Sequence, residues 1–419
     1  MAHPTEIRPI ATSARRGILV VAGALAMAAL AVACAGDDGE VAGGSTGIEA
    51  AAFAPADEAA RDRRVERIRR SSRVACGPAR RFNAIRTGAG PLCAPFDSIP
   101  AVNDPEFAPV GEGVELAGDE PVVALSVAGE HRAYPVRYLI FHELVNDRVG
   151  STSIVVSFCP LCNSAVAHER QLDGKTLSFG VSGQLAYANL VMFDRETASL
   201  WQQMTGLATG GELKDRRLEP VPVQMVSVDT WTAAHPDGLM LQPPDMGAYP
   251  YGTDPYGGYD TDPAAQSPVL QQSAGPVRDT RLSPKWRVVG AVVADTAIAF
   301  PMPEEEGGVR VVEARVDETP LVTFFEHGTI EAETDRDLAD GRRGWSGAVW
   351  IARHEGRELV FEVRAGEIVE SETGSRFDLL GVGRSGDLEG VQLAAPQQLT
   401  SFWFSWVHFY PESLLAGDS

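Results

Sequence analysis

The sequence is short of cysteine and of basic residues. Cysteine occupies 5 of 419 positions, and 36 Lys and Arg face 57 Asp and Glu, so that the formal net charge is −21. A protein that binds a phosphate backbone needs a basic surface, and this charge balance therefore argues against a nucleic-acid partner. An apolar fraction of 44% is nevertheless typical of a globular protein with enough chain for a core.

Motifs that mark several common enzyme classes are also missing. Beyond the first 57 residues the chain has no Gly-x-Ser-x-Gly elbow, no Walker A sequence, no His-Glu-x-x-His and no glycine fingerprint that opens a helix. The sequence therefore gives no support to a serine hydrolase, a P-loop nucleotidase, a dinucleotide enzyme or a zinc protease.

The chain has one apolar run near its start, and it is short. Arg15-Arg16 precedes an apolar segment from Ile18 to Ala33, which is too short for a comfortable membrane span and typical of an export signal over residues 1–33. Small residues before Cys34 favour lipidation of that cysteine over a plain Ala-x-Ala cleavage site. We therefore expect an exported protein, held at the membrane by an N-terminal lipid outside the cytoplasm, with a flexible tether over 34–57.

Residues 58–110 form a predicted N-terminal extension. Its Arg-rich stretch over 58–75 indicates a helix that either lies on anionic headgroups or is a solvated surface, and the interleaved acids favour the second. Cys76 and Cys93 flank a Gly/Pro/Arg-rich loop, which outside the cytoplasm predicts a disulfide. These assignments leave Cys159 and Cys162 as a separate pair.

The pair stands where a buried strand is predicted to end. An apolar, β-branched run from Ile154 to Phe158 meets the sequence Cys159-Pro160-Leu161-Cys162. Asn163 to Gln171 alternates like a strand, which argues against the helix that follows such a motif in thioredoxin-like folds. We expect a Cys-x-x-Cys turn between two strands.

Period-two patterns dominate the rest of the globular part. Pro121 to Val127 and His131 to Pro135 predict a hairpin, Val136 to Asn146 a short helix, and Asn189 to Asp194 a further strand. The fold class expected is mainly β, a β-rich α+β arrangement.

Comparison of the chain with itself indicates an internal duplication. Val122–Val127 through Pro135 aligns without a gap with Val288–Val293 through Pro301, and Trp231 aligns with Trp406. We therefore expect two tandem copies of a β unit packed together, at 111–241 and 285–419, joined by a Pro/Gly/Tyr-rich connector over 242–284. Cys159 aligns with Glu326, so the second copy lacks the cysteine site, and residues peculiar to the first copy become the site candidates.

Three roles remain open for Cys159 and Cys162. Two thiols at this spacing can bind a soft or borderline metal ion, copper or zinc, with His142 as a further ligand and Glu143, His168 and Asn146 as auxiliaries. They can also cycle between dithiol and disulfide, as in a thiol-disulfide oxidoreductase. Structural cysteines in a surface interaction protein are the third possibility, and no protein partner is indicated.

A polar run follows the predicted strand that ends at Asp194. Either Arg195, Ser199 and Gln203 bind a polar ligand in a cleft, or Asp194 pairs with Arg195 while Thr197 and Ser199 cap a turn. Because the second copy keeps the Glu-Thr-x-Ser part without the cysteines, the turn is favoured.

The assembled motifs resemble a bacterial family known as domain of unknown function 3179. The matching segments, spread over roughly residues 110–415, include Ala133-Tyr134-Pro135, His142-Glu143-Leu144-Val145-Asn146-Asp147, Cys159-Pro160-Leu161-Cys162-Asn163-Ser164-Ala165, Phe179-Gly180-Val181-Ser182-Gly183, Met192-Phe193-Asp194-Arg195-Glu196-Thr197, Ser199-Leu200-Trp201-Gln202-Gln203, Asp254-Pro255-Tyr256-Gly257-Gly258-Tyr259 and Phe402-Trp403-Phe404-Ser405-Trp406. Members commonly have glycine where Asn163 stands. The resemblance implies an exported or membrane-associated protein and carries no activity or catalytic residue with it.

Overall fold

A computed structural model describes residues 96–262 and 277–417 of the chain. The predicted signal peptide, the tether, Cys34, the Arg-rich helix and the Cys76–Cys93 disulfide lie outside these described residues. Within them, strand accounts for 46% and helix for 9%, which confirms the mainly β fold. No helix of the described part combines the length and apolarity needed to cross a membrane.

The first half contains fifteen strands and two α-helices within the described residues. In chain order they are β1 (Phe107–Pro109), β2 (Pro121–Val127), β3 (Glu130–Pro135), α1 (Val136–His142), β4 (Leu144–Val149), β5 (Thr152–Cys159), β6 (Ser164–Glu169), β7 (Gln171–Leu172), β8 (Lys175–Thr176), β9 (Phe179–Ala186), β10 (Asn189–Asp194), β11 (Leu200–Gln202), β12 (Leu207–Gly210), β13 (Pro220–Val221), β14 (Gln224–Ser227), α2 (Val228–Ala234) and β15 (Leu239–Leu241).

The second half follows a similar order and contains the third helix. Its elements are β16 (Arg287–Val293), β17 (Thr296–Pro301), β18 (Val309–Val316), β19 (Thr319–Ile330), β20 (Arg343–Ile351), β21 (Arg353–His354), β22 (Arg357–Glu358), β23 (Phe361–Arg364), β24 (Glu367–Glu370), β25 (Arg376–Phe377), β26 (Gly383–Ser385), β27 (Gln397–Phe402), α3 (Trp403–Phe409) and β28 (Leu414–Leu415).

One large sheet runs through both halves. Its strand order is β1-β15-β3-β2-β14-β20-β19-β18, and the halves join where β14 pairs with β20 at Met225 and Gly347. Four-stranded sheets of order β13-β6-β5-β4, β12-β11-β10-β9, β27-β16-β17-β28 and β23-β24-β25-β26 complete the architecture, with two short ribbons.

The helix predicted over Val136 to Asn146 is shorter than expected. It ends at His142, because Glu143 adopts a left-handed conformation with φ 58°. Leu144 to Val149 then pairs as a strand with β5, from Leu144 opposite Ser157 onward. Pairing of this buried segment with a neighbouring strand outweighs the local helical pattern.

The leading hairpins of the two halves have the same register. Val122 lies opposite Pro135 in the first half, and Val288 lies opposite Pro301 in the second. In each half, a seven-residue helix leads into a strand that pairs in parallel with the second strand of the hairpin. These pairs are β15 with β3 and β28 with β17. These equal registers favour the internal duplication, which stays a prediction.

The cysteine-bearing strands share a hydrophobic core with the second half. Cys159, Cys162 and Trp201 belong to the same buried cluster as Phe402 and Trp406. The aromatic segment around Trp406 forms α3, in which every residue except His408 is buried. The Cys-x-x-Cys turn therefore lies against residues of both halves.

Candidate functional site

The two cysteines occupy the turn between β5 and β6. Pro160 cannot continue the strand hydrogen bonds, and Pro160–Cys162 forms one 3₁₀ turn. Asn163 follows in the left-handed region with φ 46°, after which Ser164 pairs back to Cys159. Both sulfurs are enclosed, since Cys159 is 2% exposed and Cys162 0%. The sequence prediction of a turn between two strands is correct.

Glu143 reaches the cysteines because of how α1 ends. Its backbone N–H donates to Leu139 O (2.7 Å) as the helix closes, and its carbonyl accepts from Phe158 N (2.8 Å), next to Cys159. This residue is 8% exposed. The left-handed turn thus places a buried carboxyl beside the end of β5.

A tight hairpin brings the second group of contacts. Tyr187 and Ala188 form the two-residue turn between β9 and β10, both with positive φ, of 53° and 63°. The Ala188 carbonyl accepts from the Cys159 thiol at 3.7 Å. Asn189 Nδ2, the first side chain after the turn, donates to the Cys162 sulfur at 2.9 Å.

Four residues around this turn have an unusual backbone conformation. Glu143, Asn163, Tyr187 and Ala188 have positive φ without being glycine, as do eleven other described residues elsewhere in the fold. Such conformations are unfavourable for residues other than glycine and persist only where the surroundings impose them, and they are frequent at functional sites.

A buried network of amides and hydroxyls continues from the Cys162 sulfur. Ser164 Oγ lies 3.2 Å from that sulfur and 2.9 Å from Gln203 Oε1, within hydrogen-bond distance of both, and Gln203 Nε2 donates to Ser157 Oγ at 3.1 Å. Gln202 Nε2 donates to Asn189 Oδ1 and so orients its amide toward the sulfur. All of these side chains are at most 1% exposed.

The second half contributes Ser405, from α3. Its hydroxyl is fully buried, and within the described residues it has no ordinary hydrogen-bond partner. Its neighbour is the Cys162 sulfur, whose ionised form it favours.

These donors make the two thiols unequal. Burial would raise the pKa of Cys162, but hydrogen bonds from Cys159, Ser164, Asn189 and Ser405 outweigh it and lower that pKa below its ordinary value. Burial, together with the nearby Cys162 and Glu143, raises the pKa of Cys159 well above its ordinary value. The arrangement therefore favours a thiolate at Cys162 and a thiol at Cys159.

Acidic groups surround the pair. Burial, and then the charge of Cys162, raise the pKa of Glu143 to about 8. Burial also raises the pKa of Glu333, a fully buried residue of the second half whose two carboxyl oxygens have no hydrogen-bond partner among the described residues. The Tyr256 ring is partly exposed, yet its hydroxyl end is enclosed, and burial, Glu143 and Cys159 raise its pKa well above the ordinary value.

The connector covers the turn with the segment Asp254–Asp260, which we call the covering segment. Tyr259 OH donates to the Leu161 carbonyl of the Cys-x-x-Cys turn at 2.9 Å. Asp254 accepts from Tyr256 N (2.7 Å) and from Glu333 N (2.6 Å), and Asp260 pairs with Arg287 at 2.9 Å. The aspartates of this segment thus shape and anchor the loop, as turn-forming aspartates do.

The two histidines predicted at the site do not lie where they could bind a metal ion together with the sulfurs. His142 Nδ1 hydrogen-bonds Pro100 O (2.9 Å) and its Nε2 bonds Tyr251 OH (2.7 Å), so both ring nitrogens are engaged. His168 lies four residues along β6 from Ser164, about 13 Å at strand rise. Burial, and then Arg217, lower its pKa to about 3.

The remaining predicted auxiliaries hold strands and turns together. Asn146 bonds both backbone groups of Phe179, at 2.7 and 2.9 Å, which ties β4 to β9. Asp194 accepts from Thr197 N (2.6 Å) and Trp201 Nε1 (2.8 Å). Arg195 pairs with Asp97 at 2.7 Å, so the predicted pairing of Arg195 with Asp194 is wrong. The second half repeats the Asp194 arrangement at Glu370, whose carboxylate accepts from Thr373 N at 2.8 Å.

Among the described residues, no group of three or more His, Cys, Asp or Glu side chains is arranged to hold a metal ion. The structure thus brings Cys159, Cys162 and Glu143 together and leaves His142 and His168 outside the group. The predicted metal ligand set stays a prediction.

Sequence reasoning missed most of the polar groups around the sulfurs. Ser164, Gln203, Tyr256 and Ser405 stand within recognised motifs and Asn189 begins a predicted strand, but the sequence connected none of them to the pair, and Glu333 was not singled out at all. Ser405 and Glu333 come from the other half, and a sequence offers no signal for contacts of that range.

Comparison with protein families gives one match over most of the chain. The family described as "Protein of unknown function (DUF3179)" matches residues 96–413. Comparison with curated proteins and with solved structures gave no significant match.

Proposed function

Because the chain belongs to the DUF3179 family, whose description names no activity, we propose its function from the site alone: Cys159 and Cys162 are a redox-active dithiol of a thiol oxidoreductase. Oxidation joins the two sulfurs and removes two electrons and the proton of the Cys159 thiol, and an external thiol returns them. Cys162 is the attacking thiolate and Cys159 the thiol that closes the disulfide.

The observation that carries this proposal is the inequality of the two sulfurs beside a buried carboxyl. Cys162 accepts from Asn189 at 2.9 Å and lies 3.2 Å from the Ser164 hydroxyl, so its negative charge is stabilised. The pKa of Glu143, about 8, lets this carboxyl release and take up a proton near neutral pH. A purely structural pair has no use for a buried proton carrier.

A redox titration tests the proposal. The full chain is equilibrated in glutathione redox buffers, with dithiothreitol as the fully reduced reference, quenched with an alkylating agent, and the peptide carrying both cysteines is analysed by mass. We expect a two-electron transition with a midpoint among biological dithiols, roughly −270 to −120 mV. A pair that stays reduced, or stays oxidised, over the whole accessible range would contradict the proposal.

A soft metal ion is the second candidate, favoured by the presence of two adjacent sulfurs without a third ligand among the described residues. Copper(I) accepts few soft ligands, whereas zinc takes four ligands and would need groups from elsewhere. Here the sulfurs would hold the ion, and Asn189 and Ser164 would orient the Cys162 sulfur.

Metal analysis separates the two candidates. Protein purified anaerobically is analysed for copper and zinc beside a Cys159→Ser/Cys162→Ser variant. Stoichiometric copper in the wild type alone would support the metal site, while equal and negligible content in both would leave the redox proposal.

We also propose that the protein acts outside the cytoplasm, anchored by lipid on Cys34, and that its halves arose by duplication. The first proposal is supported by the sequence of residues 1–34, and the second by the equal hairpin registers. Metabolic labelling with a fatty acid, compared between wild type and Cys34→Ser, tests the anchor, and unlabelled wild type would exclude it.

A further inference from the structure

The enclosure of the cysteine pair limits what can react with it. Cys162 is 0% exposed and Cys159 2%, and the covering segment is fastened to the turn by the bond from Tyr259 to Leu161 O (2.9 Å). Lys285 strengthens this attachment, since its ammonium lies 4.3 Å from the centre of the Tyr259 ring and also bonds the Tyr259 carbonyl. Attack on a disulfide of another protein requires that disulfide to approach the sulfur directly, which this cover prevents.

The interior beside the pair contains a buried carboxyl group without a hydrogen bond. Glu333 is 0% exposed, and one of its carboxyl oxygens lies 3.9 Å from an Arg287 nitrogen, but neither oxygen has a hydrogen-bond partner among the residues that the structure describes. Glu333 is held under the covering segment by its N–H, which donates to Asp254 (2.6 Å), and by its carbonyl, which accepts from Asp260 N (2.9 Å). Buried polar groups without protein partners are usually satisfied by buried water.

Building on the proposed redox function, we propose that the oxidant of the pair is a hydroperoxide, which is far smaller than a protein disulfide and can hydrogen-bond to the buried polar groups around the sulfurs. Like water, hydrogen peroxide donates and accepts hydrogen bonds. It therefore enters where water enters and a protein disulfide does not.

The reaction balances with groups of this chain. The Cys162 thiolate attacks one peroxide oxygen, the O–O bond breaks, and the departing hydroxide takes the proton of the Glu143 carboxyl to form water, leaving a sulfenic acid on Cys162. The Glu143 carboxylate then takes the proton of the Cys159 thiol. The Cys159 sulfur attacks Cys162, the S–O bond breaks, and the hydroxide that leaves regains that proton as a second water. One peroxide is reduced to two waters, and two thiols become one disulfide.

The first experiment compares oxidants on the reduced full chain. Hydrogen peroxide, oxidised glutathione and insulin are the probes, and oxidation is followed by the mass of the peptide that carries both cysteines. The same reactions run on chain unfolded in urea provide the reference rates. We expect peroxide to oxidise the folded pair at least ten-fold faster than the unfolded one, and both disulfide probes to oxidise the folded pair at least ten-fold more slowly.

The outcomes are distinguishable. Folded protein that is protected from peroxide as well, or that insulin oxidises fastest, would overturn the hydroperoxide proposal while leaving the dithiol redox-active. If no oxidant, including diamide, forms the disulfide, the proposed function itself fails.

The second experiment identifies the sulfur and the proton donor. In Cys159→Ser, peroxide should leave a sulfenic acid on Cys162 that dimedone traps, whereas Cys162→Ser should give at least ten-fold less adduct on Cys159. Glu143→Gln should slow the peroxide reaction ten-fold or more at neutral pH but leave the diamide reaction within two-fold. Glu169→Gln on β6 is the matched control and should change neither rate. An adduct mainly on Cys159, or equal slowing of both oxidants by Glu143→Gln, would contradict these assignments.

Discussion

At Glu143, burial decides how the stability of the protein depends on pH. The carboxyl has a pKa of about 8 in the folded chain against an ordinary 4.5. At pH values between these two, the folded state keeps a proton that the unfolded state has released. The free energy of unfolding should therefore fall as pH rises through this window. Glu143→Gln removes the effect, and its stability relative to the wild type should increase from the acid end of the window to the alkaline end. Urea unfolding at both ends measures this.

Glu169→Gln is the control, and its stability relative to the wild type should not change with pH. A Glu143→Gln difference that is flat with pH would mean that this carboxyl is already ionised.

At this scale the sequence predicts part of the site, since Cys159, Cys162 and Glu143 lie in short motifs around the ends of a strand and a helix. It does not reveal Ser405 or Glu333, because only tertiary packing brings them to the sulfur.

Among the elements, the covering segment controls access to the cysteines. Tyr259→Phe deletes one hydrogen bond to Leu161 O and should cost about 1 kcal/mol, which raises the population of an opened segment about five-fold. Bulky disulfide reagents should then react about five-fold faster with the native pair, while peroxide reacts at an unchanged rate. The native-state rate of thiol modification measures this change.

The matched control is Tyr249→Phe on the same connector. The Tyr249 ring lies away from the turn and stacks on the Tyr251 ring, with 5.8 Å between the ring centres. Equal rates in both variants would show that the segment does not gate the pair.

Sequence reasoning placed the Cys-x-x-Cys turn between strands correctly but extended α1 to Asn146. The helix ends at His142, because pairing of Leu144 and its successors with β5 is a tertiary effect that local propensity does not contain.

Across the whole molecule, the two halves should unfold as one unit, since they share a sheet and a core. Gly347 stands where β20 meets β14, and a Cβ there would lie 2.6 Å from the Phe325 ring and 2.8 Å from Val289. Gly347→Ala should therefore lower the free energy of unfolding by about 1–3 kcal/mol and keep a single transition that includes exposure of the cysteines. Thermal and urea unfolding with simultaneous thiol counting measure this.

Gly210→Ala is the control, because a Cβ at Gly210 meets nothing closer than 3.8 Å. Two separate transitions, or equal stability of the two variants, would mean that the halves are independent.

Alternating patterns and self-alignment are enough to predict strands, hairpins and the mainly β class. The sheet that crosses between halves was not predictable, because the pairing of Met225 with Gly347 joins residues far apart in the chain through packing alone.

The ultraviolet absorbance of the thiolate, followed against pH in the folded Cys159→Ser and Cys162→Ser variants, tests the central claim most directly. Subtraction of the double variant removes the other cysteines. The account predicts that Cys162 ionises below the ordinary cysteine pKa and Cys159 well above it, because Asn189, Ser164 and Ser405 favour the ionised Cys162 sulfur. Equal ionisation of the two sulfurs, or ionisation of Cys159 first, would contradict a redox pair led by Cys162.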